Sequence, residues 1–207
     1  ESESEIRLID EIAHGLNKTA AVGIRVNPDV DAHTHEKITT GKKENKFGID
    51  WNDAFRLFLS AERFKNISLH GIEVHVGSQI LDLEPFREAF VKTKQMLNTL
   101  KDNGVLIQTV DVGGGLGVAY KTDETAPSPA DYIAVLQDVL GDFGGEFVFE
   151  PGRCLSGDAG MLVASVVRVK QTGEKSFAVL DAGMNDLVRP AMYDAYHNMV
   201  AVKGGKA

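Results

Sequence analysis

Cysteine is nearly missing from this sequence: Cys154 stands alone, so no disulfide can close within the chain, and a reducing, cytoplasmic setting is expected. Basic clusters are missing as well. Lys and Arg number 22 against 30 Asp and Glu, a net charge of -8, and beyond Lys42, Lys43 and Lys46 the cations are scattered. That argues against nucleic acid or anionic membrane as partner, because both are gripped by clustered Lys and Arg. No stretch approaches the roughly 18 apolar residues of a membrane-spanning helix. The chain opens on ESESE, without an initiator Met, a basic lead or an apolar signal stretch. It has the look of a piece of a longer protein.

What is present is ordinary globular material, 43% hydrophobic and 25% charged, enough for one substantial core. AVGIRVN (21–27), LHGIEVHVG (69–77), LIQTVDVGGG (106–115) and EFVFEPG (146–152) are apolar and β-branched, as strands are. Helical patterns fall between them at 51–64, 83–104 and 128–144. The middle one is well punctuated: Asp82 can cap it, Pro85 suits its first turn and Gly104 can end it. Strand and helix in alternation predict βα units and a parallel sheet. After Pro151 the pattern changes. MLVASVVRVK (161–170) and KSFAVLDAG (175–183) are joined by QTGE with no helix between, which predicts an antiparallel hairpin. The expected division is an α/β part over residues 1–155 and the beginning of a β domain over 156–207.

Four α/β strands are too few for a whole (βα)₈ barrel of about 250 residues. A small open sheet and the later half of a barrel both fit the count. In either, ligands sit at the carboxyl ends of the strands, and here all four ends carry chemistry. The first runs into Arg25 and Asn27, the second ends on His75, Gly77 and Ser78, the third on Asp111 and Gly113–Gly115, and the fourth on Glu150, Pro151, Gly152 and Arg153.

Each ending has an ordinary structural alternative. A lone strand-end histidine is more often a hydrogen-bonded structural residue, a glycine run can be a tight turn, and EPGR can be a structural ion pair. DVGGGLG also misses the dinucleotide spacing G-x-G-x-x-G, since Val118 stands where the last glycine belongs. Together, however, the endings describe a site for pyridoxal 5'-phosphate. Gly113, Gly114 and Gly115, with Ser78, suit a phosphate; His75 offers a flat ring; Glu150 can keep a heteroaromatic nitrogen protonated. A metal site from His33 and His35 lacks a third ligand nearby.

The motifs HVGSQI, DVGGGLGVAY, EPGR and DAGMNDLVRPAMYDAYH, in that order, together with RVNPDVDAHTHEKITTGKKENKFGI upstream, resemble the alanine-racemase-fold decarboxylases that use pyridoxal phosphate. Within them the resemblance is to the meso-diaminopimelate decarboxylase family. It implies the later half of a pyridoxal-phosphate-binding (β/α)₈ TIM barrel followed by the start of an antiparallel β domain. It also implies loss of CO₂ from the D-configured carbon of meso-diaminopimelate to give L-lysine.

By the same resemblance His75 stacks on the cofactor, Ser78, Gly113–Gly115 and the Pro151–Gly152–Arg153 turn hold it, and Glu150 bonds its ring nitrogen. Arg153, Arg189 and Tyr193 match substrate-contacting positions and suit a dianionic amino acid. The family's Schiff-base lysine belongs to an early barrel strand, and no such motif occurs here; Lys42, Lys43 and Lys46 lie in a polar loop and do not replace it. The chain alone is therefore expected to be inactive, and the full-length protein to be a homodimer. Alternatives of the same chemistry are ornithine, arginine or carboxynorspermidine decarboxylases; an alternative of another class is a non-catalytic relative that binds a partner.

Overall fold

The computed structural model describes residues 1–30 and 47–202, so Lys42, Lys43, Lys46, His33 and His35 lie outside the described residues. The first element, helix α1 (Glu3–Gly15), is not predicted from the sequence. Its signal is local: Ser2 Oγ accepts the Glu5 N–H at 3.1 Å, with Glu3 and Glu5 in the first turn and His14 in the last. That charge order complements the helix dipole.

Strand β1 (Ala20–Arg25) follows, then α2 (Trp51–Leu59), capped by Asp50 accepting from the Asn52 N–H at 2.9 Å. The expected helix 51–64 is thus shorter, because Ser60 ends it and residues 61–63 tighten into a 3₁₀ turn. Strand β2 (Ile67–Glu73) leads to α3 (Glu84–Asp102). Leu83 is its N-cap, and Asp82 still accepts the Glu84 N–H at 3.0 Å. Gly104, at φ +81, turns the chain just after the helix. Strand β3 (Thr109–Asp111), helix α4 (Pro129–Leu140) and strand β4 (Glu146–Val148) complete the run. Ser128 and Asp131 close a reciprocal capping box on α4.

The four strands pair in parallel in the order β1-β2-β3-β4. Their period of two divides the sheet cleanly. Ile24, Val26, Ile72, Val74, Val110 and Val112 are buried on the helix-covered face, each worth about 1.5–3 kcal/mol relative to exposure. They meet Phe58, Phe64 and Leu100 in one cluster and Phe86, Phe90, Tyr132 and Leu136 in the other. Phe86 and Tyr132 pack edge to face at 4.9 Å. Burial holds the Tyr132 hydroxyl well above its ordinary pKa.

The opposite face carries the polar residues. Register places Arg25, Glu73, Asp111 and Val148 in one row.

Beyond β4 comes a short helix α5 (Arg153–Ser156), then β5 (Val166–Thr172) and β6 (Lys175–Leu180), antiparallel as expected. A two-residue turn joins them with Gly173 at φ +60, the conformation that glycine supplies most readily in tight hairpins. A last helix, α6, covers Arg189–Tyr193. No helix among the described residues is long and apolar enough to cross a membrane.

Candidate active site

Parallel pairing continues past the named strands. Val74 N–H donates to the Asp111 carbonyl at 2.9 Å, Val112 N–H to Val148 at 3.0 Å, and Glu150 N–H to Gly113 at 2.8 Å. Two residues beyond the Arg25–Glu73–Asp111–Val148 row, alternation therefore sets a second row: Asn27, His75, Gly113 and Glu150. Of the predicted strand-end residues, these four share one end of one face.

His75 is half-buried, and burial, reinforced by the Arg25 charge, lowers its pKa below the usual histidine value. The Gly114 N–H donates to its Nδ1 at 3.3 Å. The ring is thus held neutral, with that nitrogen as acceptor.

Glycine is required in the adjoining loop. A methyl built on Gly113 would fall 2.6 Å from the Val74 carbonyl oxygen, and methyls on Gly114 and Gly115 would overlap the carbonyl oxygens of Glu150 and Gly77. Gly113 and Gly115 also take φ of +67 and +102. Bare backbone lets three strand ends converge here.

Two of the three loop amides are already engaged within the fold. The Gly113 N–H donates to Asp111 Oδ1 at 2.8 Å and the Gly114 N–H to His75. Among the described residues, the Gly115 N–H and the Ser78 hydroxyl make no hydrogen bond, so these two donors remain for an anion.

Glu150 and Arg153 do not form the structural ion pair that EPGR alone allows. The Glu150 carboxylate has no partner among the described residues. Arg153, after the Pro151–Gly152 turn, donates instead to Gln79 Oε1 at 3.0 Å. Gln79 also accepts the Val118 N–H at 3.2 Å and donates to the Val118 carbonyl at 2.6 Å. These bonds hold it at φ +61, an uncommon conformation for a residue with a side chain.

Arg189 and Tyr193 sit one turn apart on α6 and so share a face. Arg189 donates to the Tyr120 hydroxyl at 3.0 Å. Beneath the rim, Glu73 lies 3.4 Å from Arg25. Burial raises its pKa, Arg25 opposes that rise, and Glu150 and Asp111 add to it. Sequence reasoning gives Gln79 and Tyr120 no role, though both lie within the motifs HVGSQI and DVGGGLGVAY that follow strands β2 and β3, where their polar side chains are the available signal.

The donor set fits pyridoxal phosphate: a neutral ring face, two unpaired donors beside a glycine loop, and an unpaired carboxylate.

Known proteins supply the frame. A diaminopimelate decarboxylase of Haemophilus influenzae is 45% identical over 98% of this chain and 49% of its own length. The crystal structure of diaminopimelate decarboxylase from Helicobacter pylori complexed with L-lysine matches with a TM-score of 0.94 at 37% identity, covering 100% of this chain and 52% of that one. The lysine decarboxylase of Selenomonas ruminantium matches with a TM-score of 0.79 at 27% identity, covering 100% of this chain and 52% of that one. The chain spans about half the length of the curated relatives it matches. Its parallel sheet is part of an alanine-racemase-type (β/α)₈ barrel, and its hairpin belongs to an antiparallel β domain. Residues 1–157 match the family described as pyridoxal-dependent decarboxylase, pyridoxal binding domain, and the chain belongs to that family.

Proposed function

We propose that the full-length protein decarboxylates meso-2,6-diaminopimelate at its D-configured carbon, giving L-lysine and CO₂. The observation that carries this reading is the meeting, on one sheet end, of a neutral His75, the Gly113–Gly115 loop beside Ser78, and an unpartnered Glu150. The names of the relatives favour the substrate: the Haemophilus protein is a diaminopimelate decarboxylase, and the Helicobacter enzyme was crystallised with L-lysine.

Pyridoxal phosphate, when bound, supplies the sink for the electron pair that departing CO₂ leaves behind. Each residue then has a task. Gly115 N–H and Ser78 Oγ donate to the phosphate, assisted by the turn Pro151–Gly152–Arg153. Neutral His75 packs against the ring without adding a positive charge that would compete for Glu150. Glu150 holds a proton on the ring nitrogen, because a nearby carboxylate favours the charged form. Arg153 and Arg189 take substrate carboxylate through charge-assisted hydrogen bonds, and Tyr193 flanks Arg189 on α6. The reading further includes a division near residue 155 between barrel and β domain, a homodimeric full-length enzyme and a cytoplasmic setting.

The test is a CO₂-release assay on the full-length protein loaded with pyridoxal phosphate, comparing meso-diaminopimelate with L-ornithine, L-arginine and L-lysine, with L-lysine identified as the amino-acid product of the first. A site built for a distal carboxylate should prefer meso-diaminopimelate by about 10⁴-fold in kcat/KM. Faster turnover of ornithine or arginine would reassign the substrate, and none with any amino acid would leave a binding protein.

A further inference from the structure

Among the described residues, Arg189 is held by the side chains of Tyr120 and His197 and by no carboxylate. Its Nη1 donates to the Tyr120 hydroxyl at 3.0 Å and to His197 Nε2 at 3.3 Å, and its guanidinium lies 5.0 Å from the Tyr120 ring centroid. Because arginine only donates, the imidazole must accept through its Nε2 lone pair. The Tyr120 and His197 rings meet edge to face at 5.6 Å, so the two partners also brace each other. Among the described residues no carboxylate lies within ion-pair distance of Arg189.

Tyr120 is itself fixed from behind. Its N–H donates to Glu124 Oε2 at 2.8 Å, and two residues earlier Val118 is clamped by Gln79. The support therefore runs from the loop after β3 to an arginine that follows the hairpin. Nothing in α6 could do this alone: the helix is five residues long, and its N-cap, Val188, has no side-chain hydrogen bond to offer.

We infer that Tyr120, with His197, is the positioning pair for Arg189, fixing the guanidinium while leaving its charge uncompensated for an incoming carboxylate. An Asp or Glu in the same place would orient the arginine as well, but a substrate would then have to displace it. A phenol and a neutral imidazole orient without neutralising. The inference deepens the proposed function, since it rests on Arg189 being the group that receives substrate carboxylate.

The test uses the full-length holoenzyme, with variants compared at matched cofactor absorbance. Tyr120→Phe keeps the ring face and removes the acceptor oxygen. The KM for meso-diaminopimelate should rise about 10-fold, as expected for losing a hydrogen bond to a charged group, while kcat stays within about two-fold. His197→Ala should also raise KM, and His197→Gln, which keeps a neutral acceptor, should restore it in part. In the Tyr120→Phe/Arg189→Met double variant, KM should rise no further than in Arg189→Met alone. Additive effects, or a fall in kcat and cofactor content at unchanged KM, would overturn the inference. A raised KM in Arg189→Met beside an unchanged one in both Tyr120→Phe and His197→Ala would overturn the positioning role alone. An unchanged KM in Arg189→Met would overturn the substrate role of Arg189 and the inference with it.

Discussion

Neutrality is a recurring device at single residues here. His75 has its pKa lowered by burial first and by Arg25 second, so the fold favours the uncharged ring. That preference has a sign in stability. A histidine whose folded pKa lies below its unfolded value binds fewer protons when folded. Its contribution is fully present above the unfolded value of 6.5 and is lost as pH falls through it toward the folded pKa. Glu73 works the other way, since burial raises its pKa; its contribution is present below 4.5 and lost as pH rises through the folded pKa. The two oppose each other in mildly acidic solution, and a variant separates them. Urea midpoints of the full-length apoprotein from pH 7.5 to 5.5, compared with those of His75→Asn, should show wild type losing more stability on acidification. The difference in slope should stay below about 1.4 kcal/mol per pH unit. Parallel curves would mean that burial does not tune this ring.

The elements decide where such residues meet, and most of that placement was legible. Alternation in GIEVHVG sends Ile72, Val74 and Val76 to the core, and Glu73 and His75 to the other face. The reading of four strand ends as one site needed only that period and parallel pairing. Harder to see was which amides the glycine loop spends internally, because the Asp111 and His75 bonds depend on how neighbouring strands meet in space. The same holds for Gln79 and Tyr120, whose partners Arg153 and Arg189 lie 74 and 69 residues away in sequence. Helix α1 escaped for a different reason: it buries Ile6 and Ala13 but leaves Leu8 and Ile12 exposed, so core periodicity is a weak guide there. Glycine substitutions test the convergence of strand ends. Gly114→Ala drives a methyl into the Glu150 carbonyl oxygen, and overpacking of this kind costs about 1–3 kcal/mol. Gly104→Ala meets nothing within 4 Å and bears only the strain of φ +81, about 1–2 kcal/mol. Thermal melts of the full-length protein should therefore rank Gly114→Ala as no more stable than Gly104→Ala, and only Gly114→Ala should lose cofactor absorbance. Retention of cofactor by Gly114→Ala would show that the loop tolerates a side chain.

Taken as a whole, the chain combines a packed α/β unit with a ribbon that packs on nothing described. Every residue of β5 and β6 is exposed, on both faces, including Val167 at 65%, Val169 at 63% and Phe177 at 50%. Apolar side chains on both faces of a two-stranded ribbon bury nothing, and a lone hairpin is marginal in water. The parallel sheet differs: its helix-covered face is closed by two apolar clusters, while among the described residues no further strand pairs with the edges at β1 and β4. Open edges and apolar ribbons are where chains associate, and the repulsion from a net charge of -8 is screened beyond roughly 8–10 Å at physiological salt and opposes that only weakly. Hydrogen exchange can read this division directly. In the isolated 207-residue polypeptide, amides of Val166–Leu180 should exchange with almost no protection, whereas those of Ile72, Val110 and Leu100 should exchange slowly. In the full-length protein the hairpin amides should slow by at least about 100-fold, equivalent to some 2.7 kcal/mol of added local stability. Equal protection in both would mean the ribbon is stable by itself, and its exposed valines would then be a surface with no structural debt to the rest of a β domain.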